Sequence, residues 1–213
     1  MTRPILIIGA GGHGRVIADL VRACGRDVLG YLDEDRAIHG QRIQGVDVLG
    51  GDDHLDEFSP EQVVLANGIG SVTSLELRLR VFTRLSSAGY LFEVLVHPGA
   101  TVATSLSLCS GAQIMAGAVV QTGARIAENA IVNTGAIVDH DCVIGRHSHV
   151  APGATLCGNV QLGERCFVGA GSTIIQGIRI GDGAFVGAGA VVVSDVENAV
   201  RVAGVPARIM SSR

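Results

Sequence analysis

The 213 residues carry 47% hydrophobic side chains, enough for a packed core and incompatible with a disordered chain. Thirty glycines, 3% aromatics and no tryptophan require that core to be filled by small and β-branched side chains. All 16 basic residues are arginine, which excludes Schiff-base chemistry on lysine, and a formal charge of −4 with no basic block excludes the electrostatic footprint of a nucleic-acid binder.

The chain opens MTRPILIIGAGGHG, which enters a strand at once and does not read as a signal peptide. No apolar run reaches transmembrane length, and the five cysteines are scattered and odd in number. These features predict a cytoplasmic protein with no membrane insertion. After the strand, Gly9-Ala10-Gly11-Gly12-His13-Gly14 satisfies GxGxxG at the start of an amphipathic helix, where bare backbone and helix amides attract phosphate. A second strand, DVLGYLDED, ends in acids, and Asp33 stands where a ribose or base would meet it. A third strand lies in QVVLANGIGS, LELRLRVFTRLSSAGY has helical composition, and FEVLVHPGA leads out near His97-Pro98. The reading is a small βαβαβ Rossmann-like domain over residues 1–97. The second half of a dinucleotide fold is missing, so a nucleotide diphosphate group fits better than NAD. A tight turn without ligand is the bland alternative, and His13 reads either as a polar ligand contact or as surface.

From Val102 to Val192 an aliphatic residue recurs at every sixth position without an insertion, sixteen times. Four positions after each comes a second inward candidate, small for most of the run, such as Ala136, Cys142, Ser148 and Ala154. A six-residue period fits a parallel β-helix, with a corner in every hexad. The run resembles the hexapeptide-repeat acyltransferases, whose prisms are left-handed with three hexads per coil. The expected fold class is α/β: a Rossmann-like domain followed by a parallel β-helix over residues 98–213, left-handed as the resemblance implies.

With eighteen residues per coil, Thr104, Thr122, His140, Gly158, Gln176 and Ser194 stack on one face, each pointing outward from the prism wall. His140 then stands beside Gly158, a base next to open backbone. Solvated surface histidines are one reading of this cluster. A zinc site is disfavoured, because successive residues on a strand face opposite ways and Cys142 faces inward. A general base is the third reading, since neutral imidazole accepts a proton near pH 7 and a neighbouring carboxylate fixes its tautomer. Either Asp139 or Asp141 can supply that carboxylate.

NTGAIVDHDCVIGRHSHVAPGATLCGNV, with the N-terminal GAGGHG and a C-terminal GVPAR, resembles the PglD-like bacterial sugar acetyltransferases and the related NeuD-type sialic acid O-acetyltransferases over essentially the whole chain. The resemblance implies a homotrimer with active sites between adjacent prisms, acetyl-CoA as cosubstrate along the β-helix, a nucleotide sugar on the N-terminal domain, and no metal. It implies His140 as general base supported by Asp141, with Asn133 lining the site and His149 near the acetyl donor. Gly158 corresponds to an amide facing the thioester oxygen, and Ala170 and Ala188 to backbone along the pantetheine arm. On the sugar-nucleotide side it implies Gly11, Gly12 and His13 at the phosphates and Asp33 with Glu34 at the base. The Ala66-Asn67-Gly68-Ile69-Gly70-Ser71 loop, which faces the nucleotide and adds Asn67, departs from the family's Ile-Gly-Asn-Asn type segment. The expected activity is N-acetylation of a nucleotide-linked 4-amino-sugar. Sugar O-acetylation and a non-catalytic nucleotide-sugar-binding trimer are the alternatives.

Overall fold

The computed structural model describes residues 3–70 and 75–210; Ser71, the end of the expected third-strand segment, lies outside them. The chain divides into two units, Met1–Leu95 and Val96–Arg213, two residues ahead of the join read from the sequence.

The first unit contains β1 (Ile5–Ile8), α1 (Gly12–Ala23), β2 (Val28–Leu32), β3 (Arg42–Ile43), β4 (Val46–Gly50), β5 (Val64–Asn67) and α2 (Glu76–Ser87). The sheet order is β3-β4-β2-β1-β5, parallel except for the β3–β4 pair. All four residues of β1 are buried, as a central parallel strand requires. Leu6, Ile8, Leu32 and Leu65 pack with Val81, Phe82 and Leu85 of α2. The β3–β4 hairpin corrects the simple βαβαβ reading, which placed no strand between residues 36 and 61. Its turn is Gln44-Gly45, both at positive φ (50° and 75°), the left-handed pair that a two-residue hairpin needs.

The second unit is the left-handed β-helix. Its walls are two-residue strands paired in parallel at offsets of eighteen: Ile131 with His149, Ile137 with Thr155, Val143 with Gln161. One wall therefore runs through Ile131–Val132 and His149–Val150, a second through Ile137–Val138 and Thr155–Leu156, and a third through Val143–Ile144 and Gln161–Leu162. From Ile114 to Val192 every sixth-position aliphatic is buried, and so is every second inward residue from Ala112 to Val196. Val102 is exposed instead, because the first coil has no coil beneath it. At the other end the offset shortens to sixteen, Val186 pairing with Val202, and an antiparallel return, Val202 with Ile209, closes the run.

The corners keep their own beat. Every sixth residue from Gly111 to Gly189 has positive φ, and the five that are not glycine are Asn129, Asp141, His147, Asn159 and Arg165. No helix among the described residues is long and apolar enough to cross a membrane.

Candidate active site

His140 stands at a corner, between the strands Ile137–Val138 and Val143–Ile144, and not on the flat wall expected from its phase. The residue after it, Asp141, adopts φ 60° and turns the chain there; Asp is among the residues that tolerate this region. The imidazole is exposed, and its Nδ1 lies 2.9 Å from Asp141 Oδ2. Asp139 instead accepts the His140 backbone amide at 2.7 Å, which settles which carboxylate reaches the ring. An ionised carboxylate only accepts, so Nδ1 carries the proton and Nε2 presents its lone pair. The Asp141 hydrogen bond, with the charge of Asp139 next, holds the imidazole pKa above its ordinary value.

Gly158 lies directly against that ring. A Cβ there would collide with Nε2 and come within 2.6 Å of Cε1. The Gly158 carbonyl accepts from Gly177, while its N–H donates to no acceptor among the described residues. Base nitrogen and unpaired amide therefore adjoin at one corner, although Gly158 itself is buried and not the open backbone expected from the sequence. Cys142 is buried and its thiol is pushed up to about 11 by desolvation, so it is no nucleophile at neutral pH. No group of His, Cys, Asp or Glu among the described residues is arranged to hold a metal ion.

Asn133, Ala170 and Ala188 belong to a different corner, on the other side of the Ile137–Val138 wall. Asn133 Oδ1 accepts the Thr134 amide at 2.7 Å, and its Nδ2 lies 2.9 Å from His149 Nε2. His149 sits in a strand, is buried, and meets Phe167 edge-on at 5.3 Å. Ala170 and Ala188 are exposed corner residues one coil apart. Within one chain the His140 group and the Asn133 group thus occupy separate corners and do not form one site. His147, the third histidine of the cluster, is buried at another corner with φ 59°, its Nδ1 3.0 Å from Asn129 Nδ2.

In the first unit the candidate residues gather at the carboxyl ends of β1, β2 and β5, where open parallel sheets bind ligands. Gly9 takes φ 99°, and a Cβ on Gly14 would run into the Gly9 carbonyl, so the first glycine is demanded by its backbone conformation and the second by packing. Gly11 caps α1, and Gly11 and Gly12 have nothing within 4 Å of a built Cβ, leaving open backbone before the His13 turn of the helix. Asp33 accepts the Ala10 amide at 2.7 Å and the Asp35 amide at 2.9 Å, so it shapes the glycine turn itself. Glu34 accepts the Asp52 amide at 3.0 Å. Asn67, expected among the nucleotide-side residues, is almost fully buried: it donates to the Arg78 carbonyl and accepts from Ile69, which makes it part of the framework there.

Sequence reading missed Arg78. It lies on α2, fully buried, and donates to the Asn67 and Ile69 carbonyls at 2.9 and 3.0 Å, with burial drawing its pKa down to about 9. Its helix pattern gave no signal, because its partners are backbone carbonyls at and just beyond the end of β5, ahead of the helix.

Residues 4–85 match the family model of the PglD N-terminal domain. Residues 123–158 and 141–176 match the bacterial transferase hexapeptide model of six repeats, and 159–194 the hexapeptide repeat of succinyl-transferase. Among solved structures, the acetyltransferase domain of PglB from Neisseria gonorrhoeae is 37% identical with a TM-score of 0.91, covering 98% of this chain and 100% of that one. PerB from Caulobacter crescentus, in complex with CoA and GDP-perosamine, is also 37% identical with a TM-score of 0.91, covering 99% of each chain. WeeI from Acinetobacter baumannii is 26% identical with a TM-score of 0.87, covering 98% of this chain and 100% of that one. Comparison with curated proteins gives no match.

Proposed function

The chain belongs to the PglD-like sugar acetyltransferases, which are acetyl-CoA-dependent, and from that premise we propose that it N-acetylates the amino group of a nucleotide-linked 4-amino-sugar with His140 as general base. The observation that carries the assignment is the His140 corner, where Nδ1 is tied to Asp141 and Nε2 faces the side-chain-free rung at Gly158.

In this mechanism the sugar amine attacks the thioester carbonyl carbon directly. His140 Nε2 takes the proton released as the C–N bond forms. Asp141 keeps the ring in the Nδ1–H tautomer and stabilises the imidazolium. Negative charge developing on the thioester oxygen meets the Gly158 N–H. The C–S bond then breaks, and imidazolium returns the proton to the departing sulfur, which leaves as free CoA. No acyl-enzyme is required.

PerB's complex with GDP-perosamine supports the class of acceptor. The open backbone at Gly11 and Gly12, with His13 at the helix start, is assigned to the diphosphate, and the Asp33–Glu34 segment to the base side. The active species is a homotrimer: the Asn133–His149 pair and the Ala170 and Ala188 backbone of one copy complete the site that the next copy begins with His140. The separation of the two groups onto different corners supports this.

The test offers the protein acetyl-CoA with a nucleotide-linked 4-amino-sugar and, separately, with the 4-hydroxyl analogue, following free CoA. Release with the amine alone is expected. Equal release with the hydroxyl analogue makes the protein an O-acetyltransferase, and no release with no acetyl-CoA affinity makes it a binding trimer. In the same assay His140→Ala should lower turnover by about 10²-fold or more, the scale of general-base loss, with the oligomer intact. Near-normal turnover removes His140 from the role.

A further inference from the structure

The His140–Asp141 pair has a glycine against it in each adjoining coil. Gly158, in the following coil, clears the imidazole, as described. In the preceding coil Gly123 clears the carboxylate: a Cβ on Gly123 would collide with Asp141 Oδ1 and stand 3.4 Å from its Cγ.

Gly123 has φ 74°, but the corner conformation alone does not account for glycine there. Corners in the same conformation hold Asn129, Asn159 and Arg165, so this fold accepts side chains at that position. Clearance also separates Gly123 from its equivalents. At Gly135 and Gly153 a Cβ would meet nothing within 4 Å, and at Gly183 only the Ala199 Cα at 3.9 Å.

We propose that Gly123 is a positioning residue for the base: the missing side chain at 123 admits the Asp141 carboxylate to the place from which it bonds His140 Nδ1. A Cβ at 123 displaces the carboxylate, and the imidazole loses its tautomer lock while the coil remains. The positioning claim stands on the contacts around Asp141; its consequence for turnover rests on the reading of His140 as general base.

The charged groups acting on the imidazole are Asp141, through the hydrogen bond and its charge, and Asp139. The adjoining coils contribute Gly123, Gly158 and Asn159, which carry no charge. Displacing the Asp141 carboxylate therefore removes the larger of the two influences that hold the ring's pKa up.

The experiment compares Gly123→Ala with Gly183→Ala. Both place alanine at a left-handed corner and carry the same conformational penalty, but only the first meets a carboxylate. Gly183 lies on a corner with none of the site residues. The first readout is the titration of the His140 ring by NMR in histidine-labelled protein, its resonance assigned by its loss in His140→Ala. The ring should titrate at lower pH in Gly123→Ala than in the parent, and unchanged in Gly183→Ala. The second readout is the pH profile of kcat/KM. Its acid limb should move the same way in Gly123→Ala alone, with plateau kcat down by about 10- to 10²-fold, the scale of a misplacement of roughly 1 Å.

An unmoved His140 titration in Gly123→Ala, or an equal shift in Gly183→Ala, overturns the proposal. A shifted titration with unchanged turnover upholds the positioning by Gly123 and counts against His140 as the base, so the two ideas fail separately.

Discussion

At the scale of single residues, the decisive feature is the asymmetry of the two aspartates flanking His140. Asp141 bonds the ring and Asp139 bonds the backbone, although their spacing from the histidine is the same. Sequence could not separate them, because the difference arises from the left-handed φ at 141. Its consequence is electrostatic. The hydrogen bond to Asp141, reinforced by Asp139, raises the imidazole pKa above the ordinary 6.5. In its proposed role as base the ring must be neutral to work, so kcat/KM should fall as pH drops through a value above 6.5. The same shift favours the folded state below the unfolded pKa and is lost as pH rises through the folded one. Asp141→Asn keeps a residue that tolerates the corner but removes the charge. It should move the acid limb to lower pH, stopping short of the unperturbed value because Asp139 remains, and should lower the plateau. A limb that stays in place would show that Asp141 does not set the basicity of the ring.

At the scale of elements, the hexad is what made the prism readable. Its sixth-position aliphatics and the inward residues four places on are buried through nearly the whole run, Cys142 and Cys166 included. Two residues per wall leave little room for nonlocal override, so local period and final structure coincide. The first unit was less legible for the opposite reason. The β3–β4 hairpin is short and partly exposed, and its signal was the dipeptide Gln44-Gly45 and not an apolar run. Arg78 and Asn67 are buried by partners distant in sequence, so no local pattern marked them. The corner beat also carries an energetic prediction. Arg165 holds φ 54° with an exposed side chain, in a region that disfavours a β-carbon. Arg165→Gly relieves that strain but loosens the unfolded chain, and the net should be a gain of about 0.5–1 kcal/mol. Denaturant melts at fixed protein concentration measure it, and a loss of stability would mean that the arginine side chain contributes a contact worth more than the strain.

At the scale of the whole molecule, a prism with three walls has corners that face different directions, and the residues proposed for the site are divided between two of them. Asn133, with His149 beside it, precedes the Ile137–Val138 wall; His140, Asp141 and Gly158 follow it. A single prism cannot turn both corners toward one substrate, whereas a ring of prisms sets one corner of each copy against the other corner of the next. This arrangement makes a prediction that no single-chain site would share. His140→Ala damages one corner and leaves the other sound; Asn133→Ala does the reverse. Each variant alone should have little activity. Co-expressed in equal amounts and purified as the mixed trimers that the proposed assembly would form, the two should regain activity, because some interfaces pair an intact His140 corner from one copy with an intact Asn133 corner from its neighbour. With random assembly about a quarter of the interfaces meet that condition, so the mixture should recover about a quarter of parental turnover. If both groups acted within one copy, every copy in the mixture would carry a defect, and the activity would not rise above that of the single variants. A mixture no more active than its components therefore removes the shared site, and with it the reason for a trimer in the chemistry.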